Sequence, residues 1–387
     1  MQMEAILDRL VAFDTVSHRS NLPLVEWVAA RLAEAGVTAE LVADATGTKA
    51  NLLAVIGPRG VPGVLLSAHV DVVPVEGQAW TRPPFRLTAA GGRLYGRGTT
   101  DMKGFVACAI EAALAAAARP LAAPLILALS HDEEVGCRGV GTLIDRLGAL
   151  IRAGLPRPRI CIVGEPTSMR VAVGHKGKVA LRSVCTGRAA HSSSAPRTVN
   201  AIDLAADLVL AIRAEAARAA AQGPFDPDYE VAHSTLHAGR IAGGVQVNIV
   251  ADSAVVDWEV RSLAGDDPAP RLARIAAAMD RALAPARRLA PEAAVATLRQ
   301  WDYPGLDTPP AAPVVAEVQA LAGSCGAPVK VAFGTEGGLF AGRLGIPTVI
   351  CGPGSMAQGH IADEWIEAAE LAAAQRMLAR LLDRLAG

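Results

Sequence analysis

The alternation of apolar and polar positions divides the chain into stretches of different rhythm. From residue 3 to about residue 56 the pattern reads helix, helix, strand, strand, and residues 64–73 (VLLSAHVDVV) form a short apolar run of the kind found in buried strands. A Gly/Pro-rich stretch and the segment GRGTTDMKG come next, then an Ala-rich helix over about 104–118. A strand over 125–130, another helix and a strand over 160–165 follow. Strands alternating with helices predict an α/β fold, a mostly parallel sheet covered by helices on both faces.

The rhythm changes near His175. Residues 178–186 read as a strand, 199–221 as a long helix, 229–236 and 245–260 as two strands (the second broken by a turn near Ala251), 268–283 as a helix and 293–301 as a strand. That β-α-β-β-α-β order is the split βαβ, or ferredoxin-like, arrangement, which can fold as its own domain. The α/β rhythm then resumes with a helix from about 312, strands near 329 and over 346–351, and a helix from 363 onward. The expected organisation is a discontinuous catalytic domain, 1–177 with 303–387, interrupted by an inserted domain over 178–302.

Composition narrows the ligands. At 387 residues two domains are the better expectation. Hydrophobic residues make up 51% and charged residues 19%, which fits an ordered globular chain, and only 4% are aromatic, so Ala, Leu and Val must build the core. A net charge of −1 offers no field to draw nucleic acid or an anionic membrane, which leaves small molecules as the expected ligands. Residues 104–130 are the most apolar stretch but contain Glu111, Arg119 and two prolines, far from the ~20 clean apolar residues of a membrane span. The amino-terminal segment lacks the basic start and small-residue cleavage site of a signal peptide. Six scattered cysteines without a CxxC pair read as reduced thiols. The expectation is a soluble protein of the cytoplasm.

Candidate chemistry gathers at strand ends. AHVD supplies His69 and Asp71, GTTDMKG supplies Asp101, HDEEVG supplies Glu133 and Glu134, GEPT supplies Glu165, and GHIADEW supplies His360 beyond a later strand. In open α/β sheets ligands bind at the carboxyl ends of the strands, where these residues fall. Any one of them alone reads as a helix cap or a solvated loop residue. As a cluster they point to a cation, because buried carboxylates held together without one are costly. Imidazole with carboxylate suits zinc, with cobalt or manganese as substitutes, and Asp71, two residues from His69, is placed to accept its second N–H.

The segments SAHVDVVP, GRGTTDMKG, DEEVG, GEPT and AHSS, in this order, resemble the aminoacylase/carboxypeptidase family of co-catalytic zinc hydrolases, the M20 peptidases, over nearly the full length. DEEVGC, GHKG, FGTEGGLF and CGPGS followed by a histidine resemble the branch acting on acetylornithine. The resemblance implies that Asp101 bridges two ions, that His69 and Glu165 complete one and Glu134 and His360 the other, and that a cis peptide follows Asp101. It implies that Glu133 is the general base: it would take a proton from water bridging the ions and return it to the leaving amine. The inserted domain becomes a lid and dimerisation domain whose His191 stabilises the oxyanion in the neighbouring subunit. Asn248 and Arg261 become substrate contacts, Arg261 through a bidentate pair with a carboxylate, and Thr335 and Glu336 face the substrate, with Glu336 suited to a basic side chain. Thr100 stands where this branch often carries Cys, and His18, His131, His233 and His237 match no ligand position.

The expected activity is removal of an acyl group, acetyl, from the α-nitrogen of an amino acid such as ornithine, by a homodimer with two zinc or cobalt ions, in arginine biosynthesis. Another N-acyl-amino-acid hydrolase, a succinyl-diaminopimelate desuccinylase or a dipeptidase on the same scaffold is the alternative. A non-catalytic metal-binding homologue and a metal-free binding module are the competitors from other classes. Glu133 counts against the first of these, because a structural site needs no unligated carboxylate, and the carboxylate cluster counts against the second.

Overall fold

The computed structural model describes residues 2–387. The chain divides into two compact units: one takes the chain up to Gly174 with Leu306–Val331 and Thr335–Gly387, the other takes His175–Gly305 with Ala332–Gly334.

The first unit is built on a nine-stranded sheet. Its order is Ala39–Ala43, Ala50–Ile56, Leu125–Ser130, Val64–His69, Ile160–Pro166, Thr348–Gly352, Ala172–His175 and Leu306–Asp307, with Val329–Val331 also paired to Ala172–His175. The four strands from Leu125–Ser130 to Thr348–Gly352 run parallel, and the pairings on either side of them are antiparallel. Every residue of those four strands is buried, as expected of parallel strands covered on both faces. Alternate positions such as Leu66, Leu127 and Ile162 join one core with the helices Gln2–Ala12, Leu22–Glu34, Lys103–Ala117, Pro313–Ala322 and Ala368–Ala386. The helices Val140–Arg152 and Gly337–Leu344 pack together against the same sheet, and Leu143, Leu147 and Phe340 are buried there outside that core.

The second unit is the ferredoxin-like arrangement the patterning predicts. Its antiparallel sheet has the order Thr235–Gly243, Ser253–Ser262, Gly177–Thr186, Ala294–Tyr303. The helices Ala201–Gln222 and Ala269–Leu289 contribute Leu204, Leu208, Ile275 and Met279 to a core that includes Leu181, Val256 and Trp258. Trp258 keeps its polar atom satisfied there, donating from Nε1 to Ser183 Oγ at 2.9 Å.

Three elements differ from the sequence pattern for identifiable reasons. The expected strand over 229–236 begins only at Thr235, because the Val231 and His233 carbonyls are taken by Lys176 Nζ at 2.7 and 2.6 Å rather than by a neighbouring strand. The helix expected to stop at 283 continues to Leu289 through Pro285, which has no N–H to offer the carbonyl of residue 281. The last helix starts at Ala368, since Trp365–Glu367 pairs with Arg93–Tyr95 to make a three-stranded sheet with Thr88–Ala90. No described helix is long and apolar enough to cross a membrane.

Candidate metal centre

The parallel strands bring their carboxyl ends to one edge of the first unit. His69 is the last residue of Val64–His69, Glu165 lies at the end of Ile160–Pro166, Glu133 and Glu134 follow Leu125–Ser130, and His360 lies in the loop after Thr348–Gly352. Asp101 precedes the helix Lys103–Ala117, and the Asp101–Met102 peptide is cis. The sheet therefore brings together side chains widely separated along the chain.

Asp101 is shared between two groups. On one side its Oδ1 lies 3.0 Å from His69 Nε2, which is also 3.6 Å from Glu165 Oε1. On the other its Oδ2 lies 3.1 Å from His360 Nε2, which is also 3.1 Å from Glu134 Oε2. In each triad one donor atom per residue lies within 4.8 Å of the other two. Donors bound to one zinc at about 2.0–2.2 Å are at most roughly 4.4 Å apart, so small rotations close either set. The donor chemistry, imidazole nitrogen and carboxylate oxygen, fits a divalent cation.

Electrostatics gives the same answer. Burial pushes the Glu165 carboxyl well above the usual carboxylate range, and the nearby Asp101, Glu133 and Glu134 add repulsion that His69 only partly offsets. Burial, with Asp101 beside it, likewise lifts Glu134 to about 7. Asp101 goes the other way: burial is outweighed by its bonds to His360 and His69, which hold it below its ordinary value. A divalent cation is the charge that offsets such repulsion.

Glu133 belongs to neither triad. Burial raises its carboxyl well above the usual range, reinforced by Glu134, Glu336 and Asp101, and its Oε1 accepts from Cys137 Sγ at 3.3 Å. The Cys137 thiol is itself pushed well up by burial and by Glu133, which leaves it a poor nucleophile.

Asp71 is tied to the site differently from the simplest reading of its spacing. His69 Nδ1 is 2.9 Å from the Asp71 main-chain carbonyl, whereas the carboxylate is 3.6 Å away. That carboxylate instead accepts the backbone N–H groups of Glu133 and Glu134 at 3.1 and 3.2 Å and the Ser17 hydroxyl at 2.7 Å. One residue thus fixes the imidazole and anchors the loop carrying Glu133 and Glu134. Ser17 gives no signal in the sequence, because nothing in its neighbourhood resembles a ligand motif.

Glu336 and Thr335 sit at the start of the helix Gly337–Leu344, fully buried. The Glu336 carboxylate accepts from Ser67 Oγ at 3.0 Å and from Ser130 Oγ, and Thr335 Oγ1 accepts the Gly337 N–H at 3.0 Å. Both residues are engaged by the protein itself. Thr100 is buried, donating to the Trp365 carbonyl at 2.6 Å. His18, His131, His233 and His237 are in neither triad.

His191, Asn248 and Arg261 lie in the second unit. His191 is exposed, with Nδ1 2.9 Å from Ser193 Oγ, and the Asn248 carbonyl accepts the Ser192 N–H at 3.0 Å, so these two loops are adjacent. Arg261 Nε donates to Glu259 at 2.7 Å on the same strand face, and Lys178 Nζ is 2.7 Å from the same carboxylate.

Taken with the relatives that follow, the fold and the two triads define a metal-dependent amide hydrolase. The chain belongs to peptidase family M20/M25/M40, whose model matches residues 65–384. It is 34% identical over 392 residues to an acetylornithine deacetylase of Myxococcus xanthus, covering 100% of this chain and 98% of the relative. It is 32% identical over 379 residues to an acetylornithine deacetylase of Yersinia pseudotuberculosis serotype O:1b (strain IP 31758), covering 96% and 93%. Its fold is shared with an M20 family metallo-carboxypeptidase of Sulfolobus solfataricus at a TM-score of 0.77 and 18% identity, covering 99% and 98%. A dinuclear metal-binding M20 peptidase of Bacillus subtilis superposes with a TM-score of 0.64 at 16% identity, covering 99% and 97%.

Proposed function

We propose that the protein hydrolyses the N-acyl bond of an amino acid, with N2-acetyl-L-ornithine as substrate and L-ornithine and acetate as products. The observation that carries the hydrolytic reading is Glu133, a carboxyl beside both triads and a member of neither. The substrate rests on the whole-length relatives that bear the acetylornithine deacetylase name. His69, Asp101 and Glu165 would hold one divalent ion and Asp101, Glu134 and His360 the other, zinc by donor type with cobalt as a substitute. Bound there, the ions would supply a lowered water pKa and polarisation of the amide carbonyl.

The chain's own residues do the rest. Glu133 receives the proton of the attacking water and delivers it to the departing amine, and its raised affinity for a proton suits both halves of that shuttle. Asp71 holds the Glu133 and Glu134 backbone by two hydrogen bonds, so base and ligand move as one piece. His191 takes the oxyanion role and Asn248 and Arg261 the binding of the substrate's polar groups, with Arg261 trading Glu259 for a carboxylate. Thr335 and Glu336 shape the floor behind the strands rather than touching substrate, a reading supported by their burial and internal bonds.

The inserted unit is proposed to join two copies, with 178–302 as the dimerisation domain. Thr235–Gly243 is a sheet edge, and around it Ile241 is 54% exposed, Val245 80% and Val247 97%. Ile202 and Leu210 on the adjoining helix are exposed as well. An unpaired edge beside exposed aliphatics is the chemistry of self-association. On this reading the reaction serves arginine biosynthesis, with the cytoplasm as the proposed compartment.

The test is amine release from a panel of N-acetyl, N-formyl and N-succinyl amino acids and dipeptides, with zinc or cobalt and with a chelator. Chelator-sensitive turnover that favours N-acetylornithine is expected. Preference for another substrate on the panel would replace the substrate and keep the chemistry. A metal-loaded protein that turns over none of them would overturn the catalytic reading in favour of a non-catalytic metal-binding homologue.

A further inference from the structure

His360 is the least protected of the five clustered side chains. Its imidazole is 43% exposed, and its backbone holds φ at +60°, a region that residues other than glycine occupy reluctantly. A donor on such a loop arrives in one place only if something outside the loop holds it.

Gln78 supplies that hold. Its Nε2 donates to the His360 carbonyl at 2.9 Å. At the other end of the same amide, Oε1 accepts from Trp80 Nε1 at 3.1 Å and from Arg97 Nη2. Indole and guanidinium groups only donate and a peptide carbonyl only accepts, so the amide can be seated just one way round. Arg97 is fully buried, with Nη1 2.8 Å from Glu364. Glu364 in turn accepts the N–H groups of Gly98, Thr100 and Asp101 at 2.9, 2.9 and 3.1 Å. A continuous chain of hydrogen bonds therefore runs from the Asp101 backbone through Glu364, Arg97 and Gln78 to the His360 backbone.

We propose that Gln78 is a positioning residue: it fixes His360 relative to Asp101, and so sets the affinity of the triad Asp101, Glu134 and His360 for its divalent ion. The inference rests on the reading of those side chains as metal ligands. The triad His69, Asp101 and Glu165 depends on Gln78 far less, because His69 and Glu165 lie at the ends of buried strands of the sheet and the Asp101 backbone is held by Glu364 directly.

Two variants separate the parts of the bond. Gln78→Glu keeps the acceptor facing Arg97 and Trp80 but sets a charged carboxylate oxygen, in place of the donor, against the His360 carbonyl, and Gln78→Met keeps the length with neither donor, acceptor nor charge. Gln78 is only half-buried, so neither change opens the core. Metal-free proteins are dialysed against Co2+, and bound metal is read by mass spectrometry and by the visible absorption of cobalt, with His360→Ala as the reference. The wild type is expected to take up two equivalents and His360→Ala one. Both Gln78 variants should bind the first equivalent as the wild type does and the second about 10–100-fold more weakly, the usual cost of losing a residue that orients a ligand. Two wild-type affinities in the Gln78 variants, with one ion lost in His360→Ala, would overturn the inference and leave the ligand reading standing. Weakening of both equivalents would also overturn it, as a sign of general loosening. Two equivalents in His360→Ala would overturn the ligand reading and the inference with it.

Discussion

Asp71 lies two residues from His69, and that spacing alone suggests a bond to the imidazole. The bond exists, but the carbonyl makes it, and the carboxylate is spent on the loop behind Glu133. Sequence spacing can say which residues meet and not which atoms, because side-chain and main-chain acceptors of one residue lie within reach of the same ring. For Glu133 the expectation is sharp: Glu133→Gln should retain both metal equivalents while kcat falls by about 10²–10⁴, the range for loss of a general acid–base. Near-normal turnover in that variant would refute the assignment. His175 offers a second test at this scale. It is fully buried, and burial lowers its pKa to about 4 although a bond to the Lys176 carbonyl opposes the shift. Below the ordinary value of about 6.5 the unfolded chain binds the extra proton first, so stability is complete above that pH and drains away as pH falls toward 4. Between pH 7 and 4.5 the metal-free wild type should therefore lose roughly 2–3 kcal/mol more than His175→Gln in urea denaturation. Equal losses would mean that the imidazole is not held neutral.

Elements were most legible where periodicity was strong. The buried strands carrying His69 and Glu165 read directly from their apolar runs, and the five ligand-type side chains named from strand ends are brought together by the sheet. Less legible was the segment before Thr235, where a lysine side chain captures the carbonyls that a strand partner would take. The part played by Glu336 was equally hidden, because the hydroxyls that receive it, Ser67 and Ser130, come from two strands remote in sequence. The close approach of strand and helix at Gly164 is testable. A methyl group there would enter the Phe105 ring. Gly164→Ala should cost about 1–3 kcal/mol in chemical denaturation of the metal-free protein, and the double variant Gly164→Ala, Phe105→Ala should cost less than the sum of the two single changes. Strict additivity would show that the two residues do not share the space.

At the scale of the whole molecule, the change of rhythm near His175 announced a second body of structure, and the apolar residues left uncovered on it belong to an argument no periodicity could supply. If the proposed dimer forms through this edge, Val247→Asp, at 97% exposure, should leave the fold intact and shift the protein from dimer to monomer in light scattering after size exclusion. A variant that remains dimeric would move the interface elsewhere. The order of strands in the large sheet has a separate consequence, for synthesis. Thr348–Gly352 lies between Ile160–Pro166 and Ala172–His175, so the nascent sheet stays split down its middle until that late strand leaves the ribosome. At about 5–20 residues per second, the stretch from residue 166 to residue 348 takes roughly ten to forty seconds to make. The second unit, whose core is drawn wholly from Val179 to Val295, is complete within that interval and can fold first. On the proposed ligand set, a divalent ion could be captured by the triad containing His360 only once residue 360 has been made, and a chain halted before residue 348 would present open strand edges in place of that site.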